Sequence, residues 1–290
     1  MRELKYKINE EFDGKQVLQF LKHNGYSRAI ITALKQKDRL LCNGRHIRTV
    51  DIIKFGDIIT VKMEDETDIV PNNSLMVPIV YNNDDVIVFN KPPFMAVHPS
   101  LKHYDDTLAN YFTALYPDIA FRSVNRLDRN TSGLVVVAKN QLSAAHLANK
   151  SPYSPKKIYY AIVEGDITEK YGDCGEIIAP IARVSDSLIN REVRSDGQHA
   201  HTVFKVIKHN KKMSLLEINL VTGRTHQIRV HFSSIGHTLL GDDLYGGSVE
   251  LINRQALHCG KATFIHPITK EKIYVKAPFP EDMYRIIDEI

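Results

Sequence analysis

Residues 123–138 of the chain read SVNRLDRNTSGLVVVA, a polar segment that runs directly into five apolar residues. The β-branched run at residues 134–138 predicts a buried strand. Asp128 would then lie on a loop held by a rigid strand, a suitable platform for a reactive group. The hydroxyls and permissive glycine of residues 131–133 can satisfy such a loop. A polar turn before a core strand explains the same pattern, so this stretch alone leaves both interpretations open.

A second segment, residues 223–236, has the periodicity of an amphipathic helix. Its apolar side chains recur at i, i+4 and i+7, at Ile228, Phe232 and Ile235. Thr225 fits the N-cap of this helix and Gly236 fits its C-terminal stop. The alternative is a strand with Gln227, Arg229 and His231 on one face, and the periodicity does not exclude it.

Arg229 occupies an unusual position if the helix is correct. It would lie near the positive end of the helix dipole, which is unfavourable for a cation without a partner. A carboxylate would relieve this repulsion, and Asp128 is the candidate that we favour. Such an ion pair would also keep the acid ionised at neutral pH.

Composition limits the classes of protein to consider. The chain has 290 residues, of which 43% are hydrophobic and 25% charged, as expected for a globular protein with one sizeable core and a smaller module. The longest apolar run, residues 134–138, is too short to span a bilayer, and the first residues contain no signal-peptide core. Three widely spaced cysteines indicate neither disulfides nor a zinc finger. We therefore expect a reduced, cytoplasmic protein.

Charge is distributed unevenly along the chain. The net charge is +4, but residues 1–63 contain 13 Lys and Arg against 7 Asp and Glu, which leaves the remainder at −2. A basic module on a nearly neutral body is typical of an accessory that holds a polyanion. A solvated basic face is the alternative, because charge counts do not locate a patch.

The basic module shows a clear order of local signals. A short amphipathic helix is predicted from Val17, Phe20 and Leu21. Ser27 would cap a second helix, whose buried stripe comprises Ile30, Ile31 and Leu34. Asn43-Gly44 predicts a hairpin turn, and Gly56-Asp57 turns the chain into a strand at residues 58–61.

This order resembles the S4-like RNA-binding domain, first known from a protein of the small ribosomal subunit. The resemblance covers residues 12–63 and implies that four basic side chains face RNA phosphates: Arg28, Lys35, Lys37 and Arg45. An ordinary surface charge remains the alternative for each of them. The acidic and turn-forming residues 64–77 predict a linker, which leaves residues 78–290 as the second domain.

Six ordered blocks of the second domain resemble the RluA-type pseudouridine synthases. The first four are NKPP with VHP at residues 90–99, RLD with TSG at residues 126–133, KIYYAIVEG at residues 157–165, and GRTHQIRVH at residues 223–231. The last two are GD with YG at residues 241–246, and LH, HP and AP between residues 257 and 278. Two residues at the second block depart from the family pattern. Asn125, just before the block, stands where many members have His, and Asn130 stands where Asp is usual.

The resemblance implies roles for individual residues. Asp128 would be the essential carboxylate and Arg229 its ion-pair partner. Tyr159 would pack against the target base and help to move a proton, and Arg126 would fill the space that a flipped nucleotide leaves. The remaining candidates for RNA contact are in the fourth block: Arg224, Thr225, His226 and Gln227.

Isomerisation of uridine to pseudouridine requires no oxidant and loses no group, so we expect neither cofactor nor metal. His199 and His201 form the closest histidine pair, but they lack a further ligand at metal-binding spacing. The expected partner is RNA, either ribosomal or transfer RNA, and the basic module favours ribosomal RNA. We further expect a monomer.

Two other functions remain as alternatives. A non-catalytic RNA-binding or ribosome-assembly factor would be expected to lack Asp128 or Arg229, and both are present. A hydrolase of N-glycosidic bonds would need a second carboxylate to activate water, and the sequence offers none close to Asp128. The sequence thus predicts an α+β protein, with a small α/β RNA-binding module and a catalytic domain on a mostly antiparallel mixed sheet with flanking helices.

Overall fold

Two separate β-sheets divide the chain near residue 64. The structure is a computed structural model that describes residues 2–36, 38–148, 151–185, 187 and 189–290. None of the helices formed by these residues has the length and apolar composition needed to cross a membrane. The α+β class is confirmed.

The first sheet has four antiparallel strands in the order β1-β4-β2-β3. In chain order its elements are β1 (Arg2–Lys7), α1 (Val17–His23), α2 (Arg28–Ala33), β2 (Leu40–Cys42), β3 (Arg45–His46) and β4 (Ile58–Met63). The Ser27 side chain accepts a hydrogen bond from the Ile30 amide at 3.3 Å, so the predicted N-cap is confirmed. Asn43 and Gly44, with φ of 50° and 81°, form the predicted hairpin turn. The strand β1 was not predicted.

The second sheet has ten strands and carries most of the remaining elements. These are β5 (Ile79–Asn82), β6 (Val86–Lys91), α3 (Leu108–Leu115), β7 (Arg122–Ser123), β8 (Ser132–Ala138), α4 (Gln141–Leu147), β9 (Lys156–Glu164), α5 (Thr168–Tyr171), β10 (Cys174–Ile178), β11 (Ile181–Arg183), β12 (Arg191–Val193), β13 (His201–His209), β14 (Met213–Leu220), α6 (Gln227–Ser234), β15 (Leu257–Ile265), β16 (Lys272–Lys276) and α7 (Glu281–Glu289). Strands β11 and β12 pair only with each other, as a separate hairpin.

The main path of this sheet runs β10-β13-β14-β9-β15-β8-β6-β5, with β16 beside β15 and β7 beside β8. All its pairs are antiparallel except β8 with β15, so the predicted mostly antiparallel mixed sheet is confirmed. Every residue of β8 is buried, as the apolar run predicts. The loop that carries Asp128 therefore enters the sheet at its centre.

The parallel pairing of β8 with β15 requires a glycine. Gly133 lies opposite Cys259, which in turn lies opposite Tyr159 of β9. The φ of Gly133 is 112°, and a Cβ atom built there would lie 2.3 Å from the carbonyl oxygen of Cys259. Only a glycine allows β8 to start at this distance from β15. Gly133, Cys259 and Tyr159 thus form one row across three neighbouring strands.

Two different hydrophobic cores pack on the two faces of the large sheet. Tyr159 belongs to the main hydrophobic core, whereas the alternate residue Ile162 packs in a smaller core with α7. Tyr160 points to the face opposite Tyr159, as strand geometry predicts. Tyr160 is only half-buried, and its hydroxyl donates to Glu217 Oε2 at 2.9 Å.

The small sheet is attached to the large one by apolar and ionic contacts. Leu142 of α4, 1% exposed, belongs to the hydrophobic core of the small sheet. The Arg2 guanidinium donates to both carboxylate oxygens of Asp85 at 3.0 Å. The predicted linker contains no helix or strand, but its Asp65 accepts two hydrogen bonds from Arg122. Removal of residues 1–63 would therefore expose Leu142 and leave Asp85 without Arg2.

Gly133→Ala tests the close approach of β8 to β15. We expect it to lower the free energy of unfolding by about 3 kcal/mol or more, because the methyl group meets backbone at a left-handed φ. Gly223→Ala is the matched control, since nothing lies within 4 Å of a Cβ atom at that position. Urea denaturation of both variants measures the difference, and equal stabilities would contradict the assignment.

Candidate active site

A buried lysine holds one side of the loop that carries Asp128. Lys91, fully buried at the end of β6, donates from its Nζ to the carbonyl oxygens of Pro92 and Met95 at 2.8 Å and of Arg129 at 3.1 Å. Burial, with the charge of Arg254, lowers the pKa of Lys91 to about 7. One side chain thus fixes the turn after β6 and the residue next to Asp128.

A buried arginine holds the other side of the loop. Arg254 donates from its Nη1 to the carbonyl oxygen of Asn130 at 3.1 Å, and its Nε and Nη2 donate to Asp282 at 2.6 and 2.8 Å. The neighbouring Gln255 donates to the Thr131 hydroxyl at 3.2 Å. Residue 130 is therefore held through its backbone, so an Asn side chain in place of the usual Asp does not alter this contact.

Asn125 ties the start of the loop to β8. Its Nδ2 donates to the Leu134 carbonyl at 3.1 Å, and its Oδ1 accepts from the Val136 amide at 2.9 Å. The amide side chain therefore satisfies backbone groups of the strand as a neighbouring strand would. This contact gives Asn125, the other departure from the family pattern, a structural explanation.

Arg229 lies between two carboxylates. Its Nη1 donates to Asp128 Oδ2 at 3.1 Å, as the sequence predicted. Its Nε and Nη2 donate to Asp242 at 2.7 Å each, and this bidentate contact was not predicted. The Asp242 side chain is fully buried, whereas that of Asp128 is 32% exposed. Asp242 is therefore the principal partner of Arg229, and the Asp128 side chain stays partly exposed.

The segment that carries Arg229 is a helix, so the strand alternative is wrong. Helix α6 begins at Gln227, and its N-cap is His226 in the left-handed conformation, with φ of 57°, rather than Thr225. Gly236, with φ of 85°, follows the last turn as predicted. Arg229 therefore lies in the first turn of α6. The positive end of the helix dipole disfavours a cation there, and the two carboxylates offset this repulsion.

A histidine and a tyrosine complete the surroundings of Asp128. His226 Nε2 is 3.7 Å from Asp128 Oδ2, and its Nδ1 hydrogen-bonds to the Tyr245 hydroxyl at 2.9 Å. The guanidinium of Arg229 lies 5.0 Å from the centre of the Tyr245 ring. Burial lowers the pKa of His226 below its ordinary value, although the Asp128 charge acts in the opposite direction. His226 is therefore a neutral neighbour of the carboxylate at pH 7.

Tyr159 lies on β9, in the row with Cys259 and Gly133, and is 6% exposed. Burial raises the pKa of its hydroxyl well above the usual value, and the neighbouring Cys259 sulfur and Asp128 carboxylate act in the same direction. The hydroxyl therefore stays protonated at neutral pH. The Asp128 carboxylate lies near enough to Tyr159 to influence the ionisation of its hydroxyl, and the role of Tyr159 at the site stays a prediction.

The predicted RNA contacts near the site have different environments. Arg126, Arg224 and Thr225 are exposed. Gln227, in contrast, is 2% exposed; its Oε1 accepts hydrogen bonds from Thr222 and Arg224, and its Nε2 donates to His201 and Thr202. Both ends of this amide are occupied internally, so Gln227 fixes the turn before α6, and its RNA contact stays a prediction.

A basic groove lies next to this turn. It has a volume of about 470 Å³ and is lined on one side by the β11–β12 hairpin and on the other by Gly223, Arg224 and Thr225. The hairpin contributes Arg183 and Arg191 to the lining. The Arg191 amide also donates to the Tyr245 hydroxyl at 3.1 Å, which connects the groove to the surroundings of Asp128.

The basic residues of the first sheet lie at its surface. Arg28, Lys35 and Arg45 are exposed, whereas Lys37 lies outside the described residues.

No role was assigned from the sequence to four residues that are important for the site: Lys91, Asp242, Tyr245 and Arg254. Three of them lie in or beside blocks that carried the family resemblance, so that resemblance could have drawn attention to them.

Comparison with known proteins agrees with this geometry. Residues 85–234 match the RNA pseudouridylate synthase family. The chain is 38% identical over 271 residues to the RNA pseudouridine synthase YjbO of Bacillus subtilis, with 91% of this chain and 95% of that protein covered. It is 40% identical over 227 residues to ribosomal large subunit pseudouridine synthase D of Zymomonas mobilis, which covers 71% and 70% of the two chains.

A solved structure, human RNA pseudouridylate synthase domain containing 1, superposes with a TM-score of 0.58 at 28% identity. It covers 72% of this chain and 85% of its own. The match of more than half the chain, together with relatives above 30% identity over most of their length, shows the family. The chain belongs to the RluA-type RNA pseudouridine synthases, which are isomerases.

Proposed function

We propose that this enzyme isomerises uridine in large-subunit ribosomal RNA and that Asp128 is its catalytic carboxylate. One observation carries the proposal: Asp128 is the partly exposed member of a carboxylate–arginine–carboxylate group whose other members are buried. Arg229 is fixed by Asp242 from behind, so Asp128 can react without releasing the arginine from its place. The relatives named for the large ribosomal subunit support the choice of RNA.

The reaction rearranges bonds within one nucleotide. The N1–C1′ bond of uridine breaks, the base turns over, and C5 bonds to C1′; a proton leaves C5 and N1 gains one. Asp128 would act at the sugar, either as the nucleophile at C1′ or as a base toward C2′. Although burial opposes it, the hydrogen bonds that Arg229 donates to Asp242 and Asp128 raise its pKa, so the guanidinium stays charged and stabilises the carboxylate.

Tyr159 and Arg126 would act on the base rather than on the sugar. A buried, protonated tyrosine offers a ring face for the detached uracil and a hydroxyl that can donate a proton. Exposed Arg126, two residues before Asp128, would enter the stack in place of the flipped nucleotide. The neutral His226 and exposed Arg224 and Thr225 would contact the RNA beside the basic groove.

We further propose that residues 1–63 form an RNA-binding module, residues 64–77 a linker and residues 78–290 the catalytic domain. The +6 charge of the module and the exposure of Arg28, Lys35 and Arg45 support RNA binding. The proposed enzyme is a monomer that works without cofactor or metal, in the cytoplasm, where its bacterial relatives named for the ribosome meet their substrate.

Hydrolysis of the N-glycosidic bond is less well supported. A hydrolase needs a second group to activate water, and the other carboxylate of the site, Asp242, has both oxygens on Arg229 in a fully buried position. A non-catalytic scaffold is disfavoured because both Asp128 and Arg229 are present and paired.

Asp128→Asn should abolish isomerisation and leave RNA affinity nearly unchanged. A neutral amide keeps the shape of the carboxylate but can be neither nucleophile nor base, so we expect a loss of roughly a thousandfold or more. Release of tritium from RNA labelled at uridine C5 measures the reaction. Asp243→Asn, at an exposed aspartate of the same region, is the matched control. Comparable rates in Asp128→Asn and the parent would refute the assignment, and free uracil from the parent would indicate a hydrolase.

Arg229→Lys should lose activity and stability together. A lysine has one point charge and cannot serve both carboxylates with a planar fork, so Asp242 is left buried and poorly paired. We expect unfolding to become easier by about 3 kcal/mol. Arg285→Lys is the control, because Arg285 pairs with Glu281 at the surface. If Arg229→Lys and Arg285→Lys have the same melting temperature and the same rate of isomerisation, the planar guanidinium of Arg229 is not required.

Neutralising the module should reduce the salt dependence of RNA binding. In a variant with Arg28, Lys35 and Arg45 all changed to Gln, fewer counterions are released, so the slope of log affinity against log salt should fall by about one unit for each phosphate that is no longer neutralised. A control with Lys211, Lys272 and Lys276 changed to Gln removes the same charge from other exposed positions. Equal slopes for the two variants would mean that the module presents only a solvated face.

A further inference from the structure

Phe94 has a backbone conformation that its side chain disfavours. Six non-glycine residues in the described part of the chain have a positive φ, and Phe94, at 64°, is the one apolar residue among them. Asparagine, aspartate and histidine tolerate this region, whereas a bulky apolar residue there is an outlier. Such strain persists only where the surrounding structure enforces it, and it is concentrated at functional sites.

The structure enforces this conformation through the lysine that holds the catalytic loop. Lys91 Nζ binds the carbonyl oxygens of Pro92 and Met95, on either side of Phe94, and also that of Arg129. The turn with Phe94 and the loop with Asp128 are therefore joined through one ammonium group. His226, another left-handed residue, borders the same carboxylate from the side of α6.

The Phe94 side chain contributes nothing to the core. It is 41% exposed, and within the part of the chain that the structure describes it belongs to no hydrophobic cluster and no aromatic pair. Arg126 and Arg129, on the loop joined to this turn, are also exposed. An exposed aromatic ring on a turn that is joined to a loop with exposed arginines offers the two kinds of side chain with which proteins hold single-stranded nucleic acid.

We propose that Phe94 stacks on a nucleobase of the bound RNA strand, next to the uridine that enters the site. The inference rests on the proposed function and adds a residue that positions the strand. Stacking uses the π-face that every base has, so Phe94 fixes where the strand lies without reading its sequence. Exposed Arg129 attracts the adjoining phosphates, Arg126 takes the place of the flipped nucleotide in the stack, and the rigid turn holds the Phe94 ring in position for the base.

A single tryptophan can report this contact, because the chain contains none. In Phe94→Trp, an oligouridylate strand should quench the indole emission, whereas an equally long strand of abasic ribose phosphate should not. Tyr274→Trp is the matched control at an exposed position on β16 and should respond to neither strand. Unchanged emission of Phe94→Trp with oligouridylate, at a concentration where a mobility shift shows full binding, would overturn the proposal.

Two further variants separate stacking from a structural role. Phe94→Asn suits a left-handed φ but removes the ring, so its melting temperature should equal or exceed that of the parent. Its kcat/KM on transcribed large-subunit ribosomal RNA should fall about tenfold through KM, since one stacked base is lost. Phe94→Tyr keeps the ring and should retain the parent's kcat/KM. A lowered melting temperature with unchanged KM in Phe94→Asn would show a merely structural residue.

The fluorescence and kinetic experiments together also distinguish failure of this inference from failure of the function on which it rests. If the parent forms no pseudouridine in that RNA, the proposed substrate or activity fails, while the fluorescence of Phe94→Trp still decides whether a base stacks there. If the parent is active and Phe94→Asn is equally active, the function stands and the role of Phe94 is wrong.

Discussion

The buried guanidinium of Arg229 is the group on which the rest of the site depends. It lies in the first turn of α6, where the helix dipole repels a cation, and only 6% of its side chain is exposed. A charge in this position is tolerated only with full pairing, and removing one partner of such a pair typically costs about 3–5 kcal/mol. Asp242 meets most of this requirement from the buried side. Asp128 can therefore remain partly exposed, where a substrate reaches it.

The loop that carries Asp128 is held mainly by residues far away in the chain. Lys91 binds the carbonyl oxygen of residue 129, and Arg254 binds that of residue 130. Both are buried long side chains that donate to backbone rather than to acidic partners on the loop. Such contacts fix the path of the backbone independently of the loop's own side chains. This explains why Asn130 can differ from the usual family pattern without disturbing the position of Asp128, whereas Asn125 ties the start of the loop to β8 with its own side chain.

Features that depend on neighbouring residues could be predicted from the sequence, whereas the choice of contact partners far away in the chain could not. The Ser27 cap, the Asn43-Gly44 turn and helix α6 follow from signals within a few residues, and all are present. The ion pair of Asp128 with Arg229 was predicted because a cation at a helix start requires an anion. Its stronger partner, Asp242, was missed, since nothing local distinguishes one aspartate from another. The internal hydrogen bonds of Gln227 to His201 and Thr202 were also missed, because periodicity within one segment does not place β13 beside it.

The parallel pairing of Gly133 with Cys259 also joins residues that are synthesised far apart in time, because 126 positions separate them in the chain. The loop of Asp128 leaves the ribosome long before Arg254 and Cys259, which anchor it from the far end of the chain. Contacts between such distant residues form late, because the intervening chain must first close a long loop. A nascent chain that still lacks β15 has every residue of the RLD block and the Lys91 contact, but not the contacts of Arg254 and Cys259 that hold the other side of the loop.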